Sequence, residues 1–259
     1  MTRRSRAGWR GWLLPILLVL AAEAMLRTHG VDSPALALPS QVWNAFWRML
    51  NDGSLVRTSA PTVGSAATGW ALGGLLGLAM GVLLGLWRHV PRGLWLSVAF
   101  LGAIPVVALV PVAMLLTGFG PRMETAVVAV ACLAPMLMRS MAAMASVDPR
   151  LLQMSRALGL SRAQRLFKII VPAALPGIGR ALSASAVIAL AAAITVEVAA
   201  NPQGLGYAVI VAQQTLRPEV MLAWLAWMTF LGWVAFAGLR LLQRYAFGLY
   251  SAAQVRMSA

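Results

Sequence analysis

Long apolar runs separated by short basic segments constrain this chain more than any other feature of it. A run of about 20 apolar residues, helical at about 1.5 Å per residue, matches a hydrocarbon layer about 30 Å thick. Inside that layer every backbone N–H and C=O must find its partner within the segment, so the runs are read as helices. Six spans are expected: Gly11–Leu26, Thr62–Trp87, Gly93–Thr117, Glu124–Ala142, Ala174–Ala199 and Val220–Leu239. Charged residues make up 11% of the chain, against about 25% in a soluble domain. The predicted class is therefore all-α and polytopic.

Between the first two spans, Pro39–Leu50 places Val42, Phe46, Met49 and Leu50 at helical spacing, with Trp43 and Trp47 alongside. This predicts an amphipathic helix at the membrane surface. Arg3, Arg4, Arg6 and Arg10 precede the first apolar run as they would in a signal peptide, but no convincing small-x-small cleavage site follows before His29, so a retained helix is expected. Three parts follow. Residues 1–57 hold the basic start, the first span and the amphipathic segment. Residues 58–245 hold the main transmembrane domain, with a cytoplasmic loop at about 146–170. Residues 246–259 form a cytoplasmic tail.

The net charge of +14 is explained by topology and not by nucleic acid, because the basic residues lie between apolar runs and form no patch on a soluble domain. With the N-terminus inside, sixteen of the 21 Lys and Arg residues fall in inside segments. The other five, Arg27, Arg48, Arg57, Arg122 and Arg217, fall outside. Both termini are expected in the cytoplasm of a bacterial inner-membrane protein. The single cysteine, Cys132, lies in an apolar run and excludes an internal disulfide. His29 and His89 fall at opposite membrane ends under this topology, so no metal pair is expected.

Span two carries Gly69, Gly73, Gly77, Gly81 and Gly85 at a spacing of four, on one helix face. Such a stripe lets another backbone approach closely in lipid. Helix packing is the plain reading, and a part in subunit rocking the functional one. Pro105, Pro111 and Pro135 are expected to kink spans three and four.

The stretch 147–168 is polar enough to lie in the cytoplasm yet carries signals for two rigid helices. Asp148 suits an N-cap and Pro149 the first helical position. Leu151, Met154, Ser155 and Leu158 are expected on one face, with Gly159 as the stop. Ser161 and Gln164 form a capping box for a second helix, which Pro172 and Pro176 are expected to end. The alternatives are a plain connecting loop and a docking element for a cytoplasmic partner.

The run Leu151 to Pro176 resembles the cytoplasmic coupling loop of type I ABC importer permeases, on Leu158-Gly159-Leu160-Ser161-Arg162 and Ile169-Ile170-Val171-Pro172 through Gly177. The family's Glu-Ala-Ala triplet is Gln153-Met154-Ser155 here. Leu38-Pro39-Ser40, together with Glu197 and the segment Asn201-Pro202-Gln203-Gly204-Leu205-Gly206-Tyr207, is similar to the nitrate/sulfonate/taurine-type branch. The similarity extends over about Leu38 to Leu242. It implies the type I permease fold, a homodimer in membrane lipid, two cytoplasmic ATP-binding subunits and an extracytoplasmic solute-binding protein. Asp148, Leu151, Gln153, Met154, Ser155, Leu158, Gly159 and Arg162 would then form the ATPase-coupling loop.

No cofactor and no catalysis are expected of the chain itself. A P-loop needs Gly-Lys-Ser/Thr, and the only lysine, Lys168, follows Phe167, so ATP hydrolysis is assigned to a partner. Glu197, at the end of span five, is either a solvated structural residue or part of an outer gate or binding-protein contact with Asn201, Gly204, Gly206 and Tyr207. A secondary transporter and a non-transporting membrane anchor are the competing functional classes; the first would carry internal repeats and a mid-membrane acidic pair.

Overall fold

A computed structural model describes residues 10–28, 36–86 and 92–257; the calls on Arg3, Arg4, Arg6, His29, Arg88 and His89 lie outside them. Among the described residues there are helices and turns and no strands. They run α1 (Arg10–Thr28), α2 (Pro39–Asn51), α3 (Ser54–Gly69), α4 (Leu75–Gly85), α5 (Arg92–Gly102), α6 (Val106–Thr117), α7 (Pro121–Ala145), α8 (Pro149–Ala157), α9 (Arg162–Arg165), α10 (Val171–Ala199), α11 (Gly204–Gln214) and α12 (Pro218–Met257). A π-helical turn, Trp70–Gly74, joins α3 to α4, and a second, Leu166–Ile170, joins α9 to α10. Among the described residues, four continuous helices are long and apolar enough to cross a membrane: Ser54–Gly85, Pro121–Ala145, Arg162–Ala199 and Pro218–Tyr245.

Span three departs from expectation. Instead of one helix it is a pair, α5 and α6, bent by 85°, and the pair counts as a fifth crossing only if taken together. The cause is Pro105. Its ring disfavours helical backbone at Ile104, and Pro105 itself takes the extended N-cap position of α6. Pro111 and Pro135 lie inside α6 and α7 without breaking them. Pro172 does not end the second cytoplasmic helix either. It lacks the N–H that would bond Lys168, and the helix widens into its π turn just before it, so the rod continues from Arg162 to Ala199.

α7 and α10 form the centre of the bundle, packed on each other and on α3 and α4. The glycine stripe makes the closest of these approaches. A β-carbon on Gly73 would overlap the carbonyl of Ala129, and one on Gly77 would lie 2.5 Å from that of Leu133. Four residues of an α-helix turn through about 400°, so a spacing of four drifts by about 40° per step. The wider π turn at Trp70–Gly74 reverses the drift and returns the stripe to α7. Gly77→Leu is therefore expected to collapse the yield of folded protein in detergent, read by size-exclusion chromatography; a wild-type monodisperse peak would show that α7 has room to move away.

α2 has the expected amphipathic character. Ala45 and Met49 are buried among Leu55, Leu205, Ala223 and Trp224, with Val42 and Phe46 packed beside them. Trp43 and Trp47 point outward. At its end, Asp52 accepts the backbone N–H of Ser54 at 2.8 Å, and these bonds from Ser54 hold its carboxyl below the usual value. α1 meets α2 through Glu23, which accepts the hydroxyl of Ser40 at 2.9 Å and the Arg27 guanidinium. Large apolar side chains such as Leu72, Leu76, Leu115, Leu116, Trp233 and Leu242 stay exposed, as a lipid-facing surface requires.

Candidate functional sites at the two ends of the bundle

The first region lies between α7 and α10, where the chain leaves the bundle as α8. Val147 is buried and anchors the exit. Asp148 caps the helix by accepting the N–H of Arg150 at 2.8 Å. At the other end Gly159 takes φ +68°, its N–H bonds Arg156 O at 3.0 Å, and Leu160 N–H bonds Ser155 O at 3.1 Å. That pair of bonds is the Schellman stop, which needs a left-handed residue at Gly159. Ser161 and Gln164 then exchange the capping-box bonds that their spacing predicts. A nine-residue helix is thus fixed at both ends by its own sequence.

Leu151, Met154 and Leu158 are 41%, 61% and 74% exposed, and Phe167 is 69% exposed beyond them. Gln153 and Arg162 are also exposed. Ser155 differs from its expected place: it is fully buried, donating to Leu152 O at 2.7 Å on the inward side, so the ridge is Leu151, Met154 and Leu158 alone. An exposed apolar ridge on a stiff helix with charged flanks is a surface suited to a groove on another protein.

The second region lies at the opposite end of α7. Glu197, near the end of α10, is 2% exposed, so the solvated alternative does not hold. Its Oε1 accepts the Thr62 hydroxyl at 2.6 Å, and its Oε2 accepts the Gly206 N–H at 2.7 Å. Thr62 in turn accepts the Leu205 N–H at 3.0 Å. Leu205 and Gly206 are in the first turn of α11, where N–H groups lack intrahelical partners, and Gln203 supplies no side-chain cap. Helix α11 is therefore capped in trans by α3 and α10.

The glycines of this segment follow from that contact. Gly204 takes φ +88°, and a β-carbon on it would overlap the Glu197 carboxyl; one on Gly206 would lie 2.5 Å from Ile194 O. Asn201 is buried and donates to Glu124 Oε2 at 2.8 Å. Of the five residues expected here, Glu197, Asn201, Gly204 and Gly206 are buried together, and only Tyr207 reaches the surface, at 41% exposure. Glu124 and Thr62 were not anticipated. Glu124 carried a signal, as an acidic residue opening an apolar run, whereas nothing in the sequence pairs Thr62 with a residue 135 positions away.

Among the described residues no three His, Cys, Asp or Glu side chains are grouped to hold a metal. Cys132 is buried, its thiol 3.7 Å from Ser185 O. The five stripe glycines pack against α7 and belong to neither end region.

Solved structures share the architecture. An inward-facing structure of the MetNI methionine ABC transporter superposes with a TM-score of 0.64 at 22% identity, covering 74% of this chain and 95% of that one. An amino acid ABC transporter solved with histidines gives 0.63 at 20% identity over 77% and 98%. In sequence, the chain is 27% identical to a putative aliphatic sulfonates transport permease protein of Bacillus subtilis (strain 168), over 93% of this chain and 88% of the relative. It is 31% identical to the taurine transport system permease protein of Escherichia coli (strain K12), over 54% and 51%. It is 30% identical to the riboflavin transport system permease protein of Chloroflexus aurantiacus, over 80% and 79%. The profile of the binding-protein-dependent transport system inner membrane component matches residues 73–247, which include α7, the capped helix α8 and Glu197. The chain belongs to that family, as a multi-pass permease subunit of an ABC importer and not a secondary transporter or a passive anchor.

Proposed function

We propose that two copies of this chain form the path by which a small solute, of the nitrate, sulfonate and taurine type or related to it, enters the cell. An extracytoplasmic binding protein delivers the solute, and two cytoplasmic ATP-binding subunits drive the cycle; this chain hydrolyses no ATP. Residues 58–245 form the transmembrane domain. Residues 1–57 add the first helix and α2, and residues 246–259 the tail. Both termini face the cytoplasm. The observation that carries the reading is the capped helix α8, with its exposed ridge Leu151, Met154 and Leu158, on the connection between the two central helices. Asp148, Gln153, Ser155, Gly159 and Arg162 fix its ends and flanks. The names of the sulfonate and taurine relatives support the solute class.

At the other end, the buried unit of Glu197, Asn201, Gly204 and Gly206 braces an outer gate, and Tyr207 is its exposed contact for the binding protein. The test is reconstitution with the cognate ATPase and binding protein in proteoliposomes. Uptake of labelled taurine or an alkanesulfonate is expected to need both ATP and the binding protein; ATP-driven uptake of other solutes with no sulfonate accumulated would reject the solute class. Orientation is checked separately. In a Cys132→Ala background, a cysteine at Gln203 is expected to react with an impermeant maleimide from outside and one at Gln153 only after permeabilisation. Both positions are exposed, so burial does not confound the labelling.

A further inference from the structure

Arg139 of α7, Arg180 of α10 and Arg240 of α12 line one open cleft of about 490 Å³ at the α8 end of the bundle. Gln243 closes α12 onto α10 beside it, donating to Gly179 O at 2.6 Å and to the Ser183 hydroxyl at 2.9 Å. Arg139 lies six residues before the end of α7, about 9 Å along the helix axis. Arg180 leans back over its own helix, its Nη2 3.9 Å from where a β-carbon of Gly177 would sit.

Arg240 is the telling member. An arginine near the end of a membrane helix ordinarily extends its charge outward to water. The Arg240 guanidinium, five residues before the end of the apolar segment Pro218–Tyr245, instead folds back one turn toward the middle of that segment and stacks 4.4 Å from the centre of the Phe236 ring. No carboxylate pairs with any of the three among the described residues. The only acidic residue between Glu124 and Glu197 in sequence is Asp148, which caps α8, and none follows Glu219. Three cations facing one cleft between apolar helices repel one another unless an anion joins them.

We infer that this cleft is a binding site for an oxyanion group, a sulfonate or a phosphodiester. Guanidinium forks match such oxygens in pairs, and Ala142, Ala143, Ala181 and Ala184, which share the wall with Ser146, Gly177 and Phe236, suit a short carbon chain. Two sources carry this chemistry. One is a sulfonated solute on its way through the bundle, which rests on the proposed function; the other is the headgroup of an anionic lipid, which does not.

The experiment uses the permease–ATPase complex in phosphatidylcholine nanodiscs without the binding protein. The probes are labelled hexanesulfonate, read by equilibrium binding, and phosphatidylglycerol at a few mole per cent, read by its retention in native mass spectrometry. Wild type is expected to hold at least one probe, and the Arg180→Gln/Arg240→Gln variant to bind it at least tenfold more weakly. Arg180→Lys/Arg240→Lys should recover part of the loss, because the charge returns without the fork. Binding of the sulfonate assigns the solute as a source, and retention of the lipid assigns the headgroup. If neither probe distinguishes wild type from the double Gln variant, the site does not exist. Should that variant fail to assemble, Phe236→Leu keeps all three charges and releases Arg240 from its ring. Binding about threefold weaker is expected there, and unchanged binding overturns the proposal. Failed sulfonate uptake with probe binding intact would reject the solute class and leave the site standing.

Discussion

Leu151→Asp is expected to detach the ATPase from this permease while the membrane bundle stays folded. Leu151 is exposed in the chain by itself, so the substitution costs the isolated fold little. In the complex the side chain would enter a partner groove with Met154 and Leu158, and an unpaired carboxylate buried there costs several kcal/mol. Each 1.4 kcal/mol is about a factor of ten in affinity, so the loss amounts to about a hundredfold or more. Co-purification of the ATPase should fail, and solute-stimulated ATP hydrolysis with it, while membrane levels remain near wild type. Gly159→Val tests the same lever by stiffness and not by contact. Its φ of +68° strains any β-branched residue, although open space surrounds it. The variant should keep the six exposed ridge and flank residues yet misdirect α8, lowering stimulated hydrolysis more than ATPase binding. Full hydrolysis and uptake in both variants would reduce the stretch to a connecting loop.

Glu197→Ala is expected to be the most damaging single change at the opposite end. It removes the acceptor for both Gly206 N–H and the Thr62 hydroxyl, each buried, at about 1–3 kcal/mol apiece, and opens a cavity. The melting temperature of the purified protein should fall by several degrees and uptake should be lost. Glu197→Gln is expected to be milder. Its amide oxygen can still accept from Gly206, but its NH₂ group meets a Thr62 hydroxyl that already receives Leu205 N–H. Gly204→Ala should resemble Glu197→Ala, because φ +88° and the overlapping carboxyl both exclude a side chain. Wild-type stability and uptake in Glu197→Ala would mean that the tertiary cap of α11 does not matter, and the gate reading would fall with it.

The α8 region was legible because its information is local. Asp148, Pro149, Gly159, Ser161 and Gln164 act over three or four residues through caps and stops, and each has the structure its spacing implies. Within α8 itself only the inward turn of Ser155 was missed, since helical spacing does not say which edge of a face meets the bundle. The glycine stripe was legible for the same reason, although not its partner: α7 follows from packing, and the π turn that keeps the stripe aligned has no signature in the sequence.

By itself the sequence determined a helical membrane protein with a stiff, capped helix between two spans, because hydropathy and capping are properties of neighbouring residues. The tertiary structure decided the rest. It broke span three at Pro105 and ran the rod from Arg162 to Ala199 past Pro172. It also buried Glu197 under α11 and joined Glu124 to Asn201 across 77 positions. The last two outcomes depend on which distant side chain supplies a buried donor with its acceptor. Only the packed bundle brings those groups within hydrogen-bonding distance.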